Sequence, residues 1–194
     1  MSLVPAFEIG VWNAWIFMLV YLFLNTADPN WLVRRHDFKA LFKKSSTIPP
    51  LNKTEKKITI LSIAILLLLF IYSVLLPLPL GTAWFYAGLT IFLLGLVVCE
   101  ITGISLTATP VDEPITTGLY RYSRHPMYIT IFLQFIGTGI ASASWLFLLL
   151  VIIPTILTII LIIPEERFCL EKYGDAYRKY MNGTPRWIGV LKSG

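Results

Sequence analysis

The sequence predicts an all-α integral membrane protein with five transmembrane helices and an interfacial helix near the C-terminus. Of its 194 residues, 56% are hydrophobic and 14% are charged, which leaves too few polar side chains to cover a soluble globule. Long apolar segments recur along the chain, and a hydrocarbon core ~30 Å thick needs about 20 apolar residues per helix. The Lys and Arg residues fall in three segments between or after the apolar ones, which sets the orientation.

Each apolar segment is predicted to be a helix, because unpaired backbone groups in lipid would be too costly in an open structure. Pro77 and Pro79 end the second helix, and the short turn 142–144 makes the fourth and fifth an antiparallel hairpin. Pro154 predicts a kink or a free carbonyl in the fifth helix. Glu8, in place of a basic flank, indicates a retained first span rather than a signal peptide. The predicted spans are 6–25, 58–76, 84–106, 127–143 and 145–163.

The basic residues predict the orientation in the membrane. With five spans, an external N-terminus places all three basic segments on the cytoplasmic side, where such residues are in excess. The net charge of +5 then describes a surface that faces anionic lipid headgroups, and not a nucleic-acid site. Cys99 and Cys169 suggest neither a disulfide framework nor a zinc site, and no metal site is predicted. The basic residues are Arg34, Arg35, Lys39, Lys43, Lys44, Lys53, Lys56 and Lys57, then Arg121 and Arg124, then Arg167, Lys172, Arg178, Lys179, Arg186 and Lys192.

The first concentrated polar stretch joins the third span to the fourth. After residues 107–117 it reads Gly-Leu-Tyr-Arg-Tyr-Ser-Arg-His-Pro-Met-Tyr over 118–128. Gly118 permits a left-handed backbone, and Pro126 suits the first turn of a helix. His125 is therefore predicted near the N-cap of the fourth helix, where an anion would also find free amide groups.

A second polar group, Pro-Glu-Glu-Arg at 164–167, directly follows the fifth span. Because the fourth and fifth helices form a tight hairpin, we expect His125 and Glu165 to meet at the cytoplasmic face. A carboxylate at that depth is costly unless it is paired or binds a cationic ligand group. In the alternative, the glutamates merely pair with Arg121, Arg124 or Arg167 at the level of the headgroups.

The tail after these glutamates has aromatic residues at helix-like spacing with charges between them. This pattern predicts an amphipathic helix along the membrane surface. It is either a lid over the loop beneath it or an ordinary interfacial anchor.

These motifs together resemble the isoprenylcysteine carboxyl methyltransferase family of integral membrane enzymes, which is related to the phospholipid N-methyltransferases. The matching strings are Gly-Leu-Tyr at 118–120, Arg-His-Pro-Met-Tyr at 124–128, the glutamate pair, Tyr-Gly-Asp-Ala-Tyr at 173–177 and Pro-Arg-Trp at 185–187. The resemblance covers roughly 107–188. It implies one membrane domain, 1–194, in which 1–106 holds three spans and the basic loop, and 107–194 binds the cofactor at the cytoplasmic face.

The resemblance also implies the ligand and the residues around it. The methyl donor is S-adenosylmethionine, which leaves as S-adenosylhomocysteine, and the acceptor is a lipid-like or prenylated small molecule. Membrane lipids are the other expected partners, and the sequence leaves the oligomeric state open. The implied cofactor-binding residues are Glu113, Pro114, Ile115, Gly118, Leu119, Tyr120, His125, Pro126, Met127, Tyr128, Glu165 and Glu166.

The acceptor is expected to be the carboxylate of a prenylcysteine-like molecule. Such a nucleophile is already ionised near neutral pH, so alignment can suffice without a general base. The eukaryotic prenylcysteine enzymes have an arginine before the glutamates, whereas this chain has Leu-Ile-Ile at 161–163. Arg124 and Arg186 are the predicted catalytic substitutes, with Arg167 a further candidate. The alternatives are a phospholipid N-methyltransferase, a nicotinamide-dependent membrane reductase and a non-enzymatic lipid-binding protein.

Overall fold

The computed structural model describes residues 7, 9–26, 49–110 and 112–189, and in these residues the protein is helical throughout. No β-strand occurs in this part of the chain beyond the isolated bridge between Asn13 and Pro77. The all-helical prediction is therefore confirmed for the described residues. The helices are α1 (Trp15–Thr26), α2 (Lys53–Val74), α3 (Ala83–Ala108), α4 (Pro126–Ala141), α5 (Trp145–Tyr173) and α6 (Asp175–Gly183), with a short 3-10 helix at Gly118–Arg121.

Three of the described helices are long and apolar enough to cross a membrane: α2, the Ala83–Leu106 part of α3, and α5. Their exposed surfaces carry large apolar side chains such as Leu67, Leu94 and Ile152, which are more than half exposed in the isolated chain. A lipid environment gives that surface a solvent. The chain is thus a membrane protein. Helices α1 and α4 coincide with the other two predicted spans but have only 12 and 16 residues.

The first span was predicted as a helix over 6–25, but α1 starts only at Trp15. The residues before it are extended and pair with the turn after α2. Ala14 N–H donates to the Leu76 carbonyl at 2.8 Å, and Leu78 N–H donates to the Trp12 carbonyl at 2.9 Å. The proline-rich turn offers unpaired backbone groups there, and this pairing satisfies them. Among the basic residues of the first loop, Arg34, Arg35, Lys39, Lys43 and Lys44 lie outside the described residues. Glu8 and Lys192 also lie outside them.

The closest helix pair is α3 and α4, which meet along glycines. A Cβ placed on Gly137 would lie 2.6 Å from the Phe92 amide nitrogen and 2.8 Å from the Gly88 carbonyl oxygen. Only glycine permits this approach of two backbones, which is a common way to pack helices within lipid. The contact joins the start of α3 to the end of α4, at the end of the helix pair away from the 107–125 loop.

The fifth helix is longer than predicted. The prediction ended it at Ile163, but α5 continues through Pro154 and Pro164 to Tyr173. It ends where Gly174 adopts a φ of +56°, a conformation that side-chain-bearing residues rarely take. Both glutamates are therefore held on a rigid helix and not in a tail, and the separate C-terminal helix is only the nine residues of α6. Helix α5 packs on α2 and α4, so its last turns lie beside the start of α4.

Candidate active site

The loop between α3 and α4 has the local structure that its residues predict. Gly118 has a φ of +60°, and a Cβ there would collide with the Ser105 side chain of α3. His125 is the N-cap of α4 and Pro126 is its first residue. The His125 amide is held by the Ser123 hydroxyl at 3.1 Å. This turn aims the imidazole toward α5.

A cavity of about 450 Å³ lies where this loop, the last turns of α5 and helix α6 meet. This volume falls in the range of small-molecule sites, roughly 300–1,000 Å³. Its walls are mainly aromatic and apolar, with a few charged groups among them. The lining residues are Pro49, Leu106, Pro114, Ile115, Tyr120, Arg124, His125, Met127, Tyr128, Glu165, Phe168, Cys169, Lys172, Tyr173, Tyr177 and Tyr180.

The predicted meeting of His125 and Glu165 occurs at this cavity. The imidazole Nδ1 lies 3.8 Å from Glu165 Oε2, and the Tyr128 hydroxyl donates to Glu165 Oε1. The imidazole Nε2 lies 3.2 Å from Oε1 of the neighbouring Glu166. Imidazole, phenol and carboxylate from α4 and α5 therefore converge on one wall.

Glu166 lies behind this wall and is enclosed by cations. Arg186 grips it with two hydrogen bonds, from Nε to Oε1 at 3.2 Å and from Nη2 to Oε2 at 2.6 Å. Arg124 Nη1 lies 3.0 Å from Oε1. The hydrogen bond to Glu166 raises the pKa of the Arg186 guanidinium. Of the two alternatives for the glutamates, the structure shows Glu166 paired with arginines. Arg167 pairs instead with Glu55 of α2, and its Nη2 lies 3.1 Å from Glu55 Oε2.

Arg124 is the side chain at the cavity with the least complete hydrogen bonding. Its side chain is only 10% exposed; its Nη1 is ion-paired with Glu166 Oε1 at 3.0 Å, and its Nε has no hydrogen-bond partner among the described residues. Buried polar groups are almost always hydrogen-bonded. A guanidinium in this state at a cavity wall is suited to an anionic group of a ligand.

Helix α6 closes the cavity from the C-terminal side. Tyr177 and Tyr180 are buried, and the Tyr180 hydroxyl donates to the Tyr120 carbonyl at 2.7 Å. Burial raises the pKa of all three of these phenols, so they remain neutral hydrogen-bond donors at physiological pH. The segment after α6 is bonded to the same loop, since Arg124 N–H donates to the Pro185 carbonyl at 3.0 Å. The apolar face of α6 thus covers the cavity.

Comparison with known proteins agrees with this site. The phospholipid methyltransferase family matches residues 76–176, which is more than half of the chain. The chain belongs to the phospholipid methyltransferase family. It is therefore a membrane methyltransferase, and S-adenosylmethionine is the methyl donor that the family normally uses. No curated protein shows a significant match.

The family match begins in the turn after α2 and ends at the second residue of α6, so it includes α3, the loop, α4 and both glutamates. It does not extend to Tyr177, Tyr180 and Arg186, which contribute a wall and the clamp on Glu166. This part of the candidate site is thus built by residues beyond the matched segment.

The predicted site residues divide into two groups in the structure. Pro114, Ile115, Tyr120, Arg124, His125, Met127, Tyr128 and Glu165 line the cavity. The remaining predicted residues are not among the lining residues: Glu113, Gly118, Leu119, Pro126, Glu166 and Arg186.

From the sequence, the tail helix is either a lid over the loop or an interfacial anchor, and the structure has α6 at the cavity; the lining residues that α6 and the α5 extension contribute were not predicted. Phe168, Cys169 and Lys172 line it because α5 does not stop at Ile163. The signal was present in Tyr177 and Tyr180, whose i, i+3 spacing puts them on one face of a helix. Leu106 and Pro49 carry no such signal, because neighbouring helices alone place them there.

Proposed function

We propose that this protein transfers a methyl group from S-adenosylmethionine to a lipophilic acceptor in the cavity between α4, α5 and α6. The observation that supports it most is the convergence of His125, Tyr128 and Glu165 on one wall of a ligand-sized cavity in a chain of this family. The nicotinamide-dependent reductase and the non-enzymatic protein give no reason for that family match.

The residues present fit the methyl donor. Tyr120, Tyr177 and Tyr180 offer aromatic surface to an adenine ring or a sulfonium. Glu165 is an anion for a cationic group, and the Arg124 Nε, which has no hydrogen-bond partner among the described residues, suits a carboxylate. Once bound, S-adenosylmethionine supplies a methyl group on a positively charged sulfur, which an aligned nucleophile can take directly. The protein's part is to align the partners and to exclude water.

A second, smaller cavity supports a lipophilic acceptor. It has a volume of about 110 Å³ and lies between α1, α2, α4 and α5. Its walls include Leu66, Ile131, Phe135 and Val151, and Tyr128 borders both cavities. A hydrocarbon chain that lies in this apolar cavity would present its polar head beside Tyr128 and Glu165.

We propose a prenylcysteine-like carboxylate as the acceptor group, because the buried Arg124 guanidinium at the cavity favours an anion. The second candidate is the amine of a phospholipid, which the family match favours. An amine must be neutral to attack, and Glu165 is a carboxylate near enough to the reacting end to take its proton.

We further propose five spans with the N-terminus external and the site cytoplasmic. In support, the basic residues that begin α2, Lys53, Lys56 and Lys57, lie at the same end of the bundle as the site, since Arg167 of α5 pairs with Glu55 in that first turn. One basic end is what the positive-inside rule requires. Trp84 and Trp145, about half exposed, begin α3 and α5 at the opposite end, as interfacial aromatics do.

The test measures binding and transfer by the purified full chain in detergent. Calorimetry with S-adenosylhomocysteine should show binding that Glu165→Ala and His125→Ala abolish. The matched control is Glu171→Ala, an exposed glutamate one and a half turns further along α5 that does not line the cavity. Unchanged binding in both site variants would refute the site.

Transfer of a radiolabelled methyl group into a panel of lipids and prenylcysteines then identifies the acceptor. Base treatment distinguishes the two candidates, because a methyl ester releases methanol and an N-methyl group does not. No labelled product with any lipophilic acceptor would refute the function.

A further inference from the structure

The two ring nitrogens of His125 face two different carboxylates. Nε2 lies 3.2 Å from Oε1 of Glu166, within hydrogen-bond distance. Nδ1 lies 3.8 Å from Oε2 of Glu165, beyond that distance. Glu165 lines the cavity and Glu166 does not, so the Nδ1 edge of the ring is the one on the cavity side.

Glu166 is held as a fixed hydrogen-bond acceptor. Arg186 donates to both oxygens of Glu166, and Arg124 lies 3.0 Å from one of them. The Glu166 side chain is only 6% exposed. An ionised carboxylate has no proton to give. A ring nitrogen that hydrogen-bonds to Glu166 must therefore carry the proton itself.

We propose that Glu166 is a positioning residue that keeps a proton on Nε2 of His125 and leaves Nδ1 without one. The Nδ1 lone pair is then an acceptor on the cavity side, beside Glu165. The second glutamate of the pair acts through the imidazole and does not touch the ligand. Arg124, Arg186, Glu165 and Tyr128 are the other charged or titratable groups that face this ring or its two carboxylates.

The Nδ1 edge of the His125 ring, a hydrogen-bond acceptor beside Glu165, favours one kind of ligand group. Tyr128 occupies Oε1 of Glu165, which leaves Oε2 as the oxygen facing Nδ1. Two acceptors 3.8 Å apart can share one nitrogen donor at about 2.9 Å from each. A primary ammonium group has three such donors and the charge that Glu165 needs.

This inference rests on the proposed function, because that function supplies two sources of a primary ammonium. One is the amino-acid end of the methyl donor, and the other is the amine headgroup of a phospholipid acceptor. An imidazole with a free Nδ1 lone pair cannot donate to a carboxylate, so it excludes the carboxylate end of the methyl donor from this edge.

Nitrogen-15 NMR of the ligand-free full chain in micelles tests the tautomer directly. The chain has only two histidines, and His36→Gln assigns the remaining ring signals to His125. We expect one protonated nitrogen, Nε2, and one unprotonated nitrogen, Nδ1, at neutral pH. A proton on Nδ1, or on both nitrogens, would overturn the inference even if the protein binds S-adenosylhomocysteine. Loss of that binding with the expected tautomer would instead overturn the proposed function.

Two variants separate positioning from simple structural support. In Glu166→Gln the amide can donate to Nε2, so part of the His125 proton should move to Nδ1. In Arg186→Lys the fork on Glu166 is lost but the Glu166–His125 contact remains, so the tautomer should not change. A tautomer that is the same in wild type and Glu166→Gln would refute the positioning role, and the wild-type spectrum remains decisive if that variant does not fold.

Binding data then identify the source of the ammonium. Losing a hydrogen bond to a charged group weakens binding by about tenfold. If the ammonium belongs to the methyl donor, Glu166→Gln weakens donor binding by that factor and leaves the KM of the acceptor unchanged. If it belongs to a phospholipid, the KM of the acceptor rises and donor binding does not change. A changed tautomer with neither effect would refute the ammonium subsite.

Discussion

The contact between α3 and α4 and the polar end of the bundle are built by opposite means. At the first, Gly88 and Gly137 let two backbones touch, and the surroundings are apolar. At the second, Arg124, His125 and Glu166 form a buried network of charges in which some donors have no partner among the described residues. The first region has nothing left to bind, whereas the second has unused hydrogen-bonding capacity. The difference indicates where the protein is optimised for stability and where for a ligand.

The largest effect is expected from Gly137→Ala. The added methyl group would lie 2.6 Å from a backbone nitrogen of α3, so the helices must separate. Overpacking of this kind costs about 1–3 kcal/mol. Thermal unfolding in detergent should show a clearly lower Tm. Gly183→Ala is the control, because its Cβ would meet nothing within 4 Å. An equal Tm for the two variants would mean that the glycine contact does not support the fold.

Tyr180→Phe tests the polar end with a smaller change. It removes the bond to the Tyr120 carbonyl and leaves the ring in place. The expected loss is about 1 kcal/mol, together with weaker binding of S-adenosylhomocysteine because α6 is less firmly closed. Tyr177→Phe is a suitable comparison in the same helix. The interpretation of α6 as a cavity wall would fail if Tyr180→Phe left binding unchanged.

The sequence predicted the apolar helices and the approach of His125 to Glu165, but it did not predict how far α5 extends or that Arg186 pairs with Glu166. Apolar runs identified α2, α3 and α5, and the hairpin placed His125 near Glu165, because a turn of three residues allows little else. The predicted end of α5 at Ile163 was wrong, because the helix continues through Pro164, where the carbonyl left free by the missing N–H is tolerated, and ends at Gly174. The pairing of Arg186 with Glu166 could not be predicted from the sequence either, because it is a tertiary contact.

Lys172→Met should have a moderate effect that is confined to ligand binding. Lys172 is the cation among the cavity-lining residues that no described carboxylate pairs with, and its ammonium lies 4.9 Å from the centre of the Tyr173 ring. It is exposed, so its attraction for an anionic ligand is screened by salt. We expect KM to rise severalfold at low ionic strength and the difference to shrink as salt is added. Lys179→Met, on the outer face of α6, should change neither, and an identical response of both lysines would remove Lys172 from the site.

The smallest effect is expected at a pair with the same chemistry as the clamp on Glu166. Arg178 lies 3.3 Å from Asp175, but the two side chains are 70% and 93% exposed. Water already solvates both groups, so their attraction adds little to stability. Arg178→Gln should leave Tm and methyl transfer unchanged, whereas Arg186→Gln should lower both, because Glu166 would then be buried with one cation fewer. If the two substitutions had equal effects, the burial of Glu166 would not make its ion pair matter more than the exposed pair of Arg178 and Asp175.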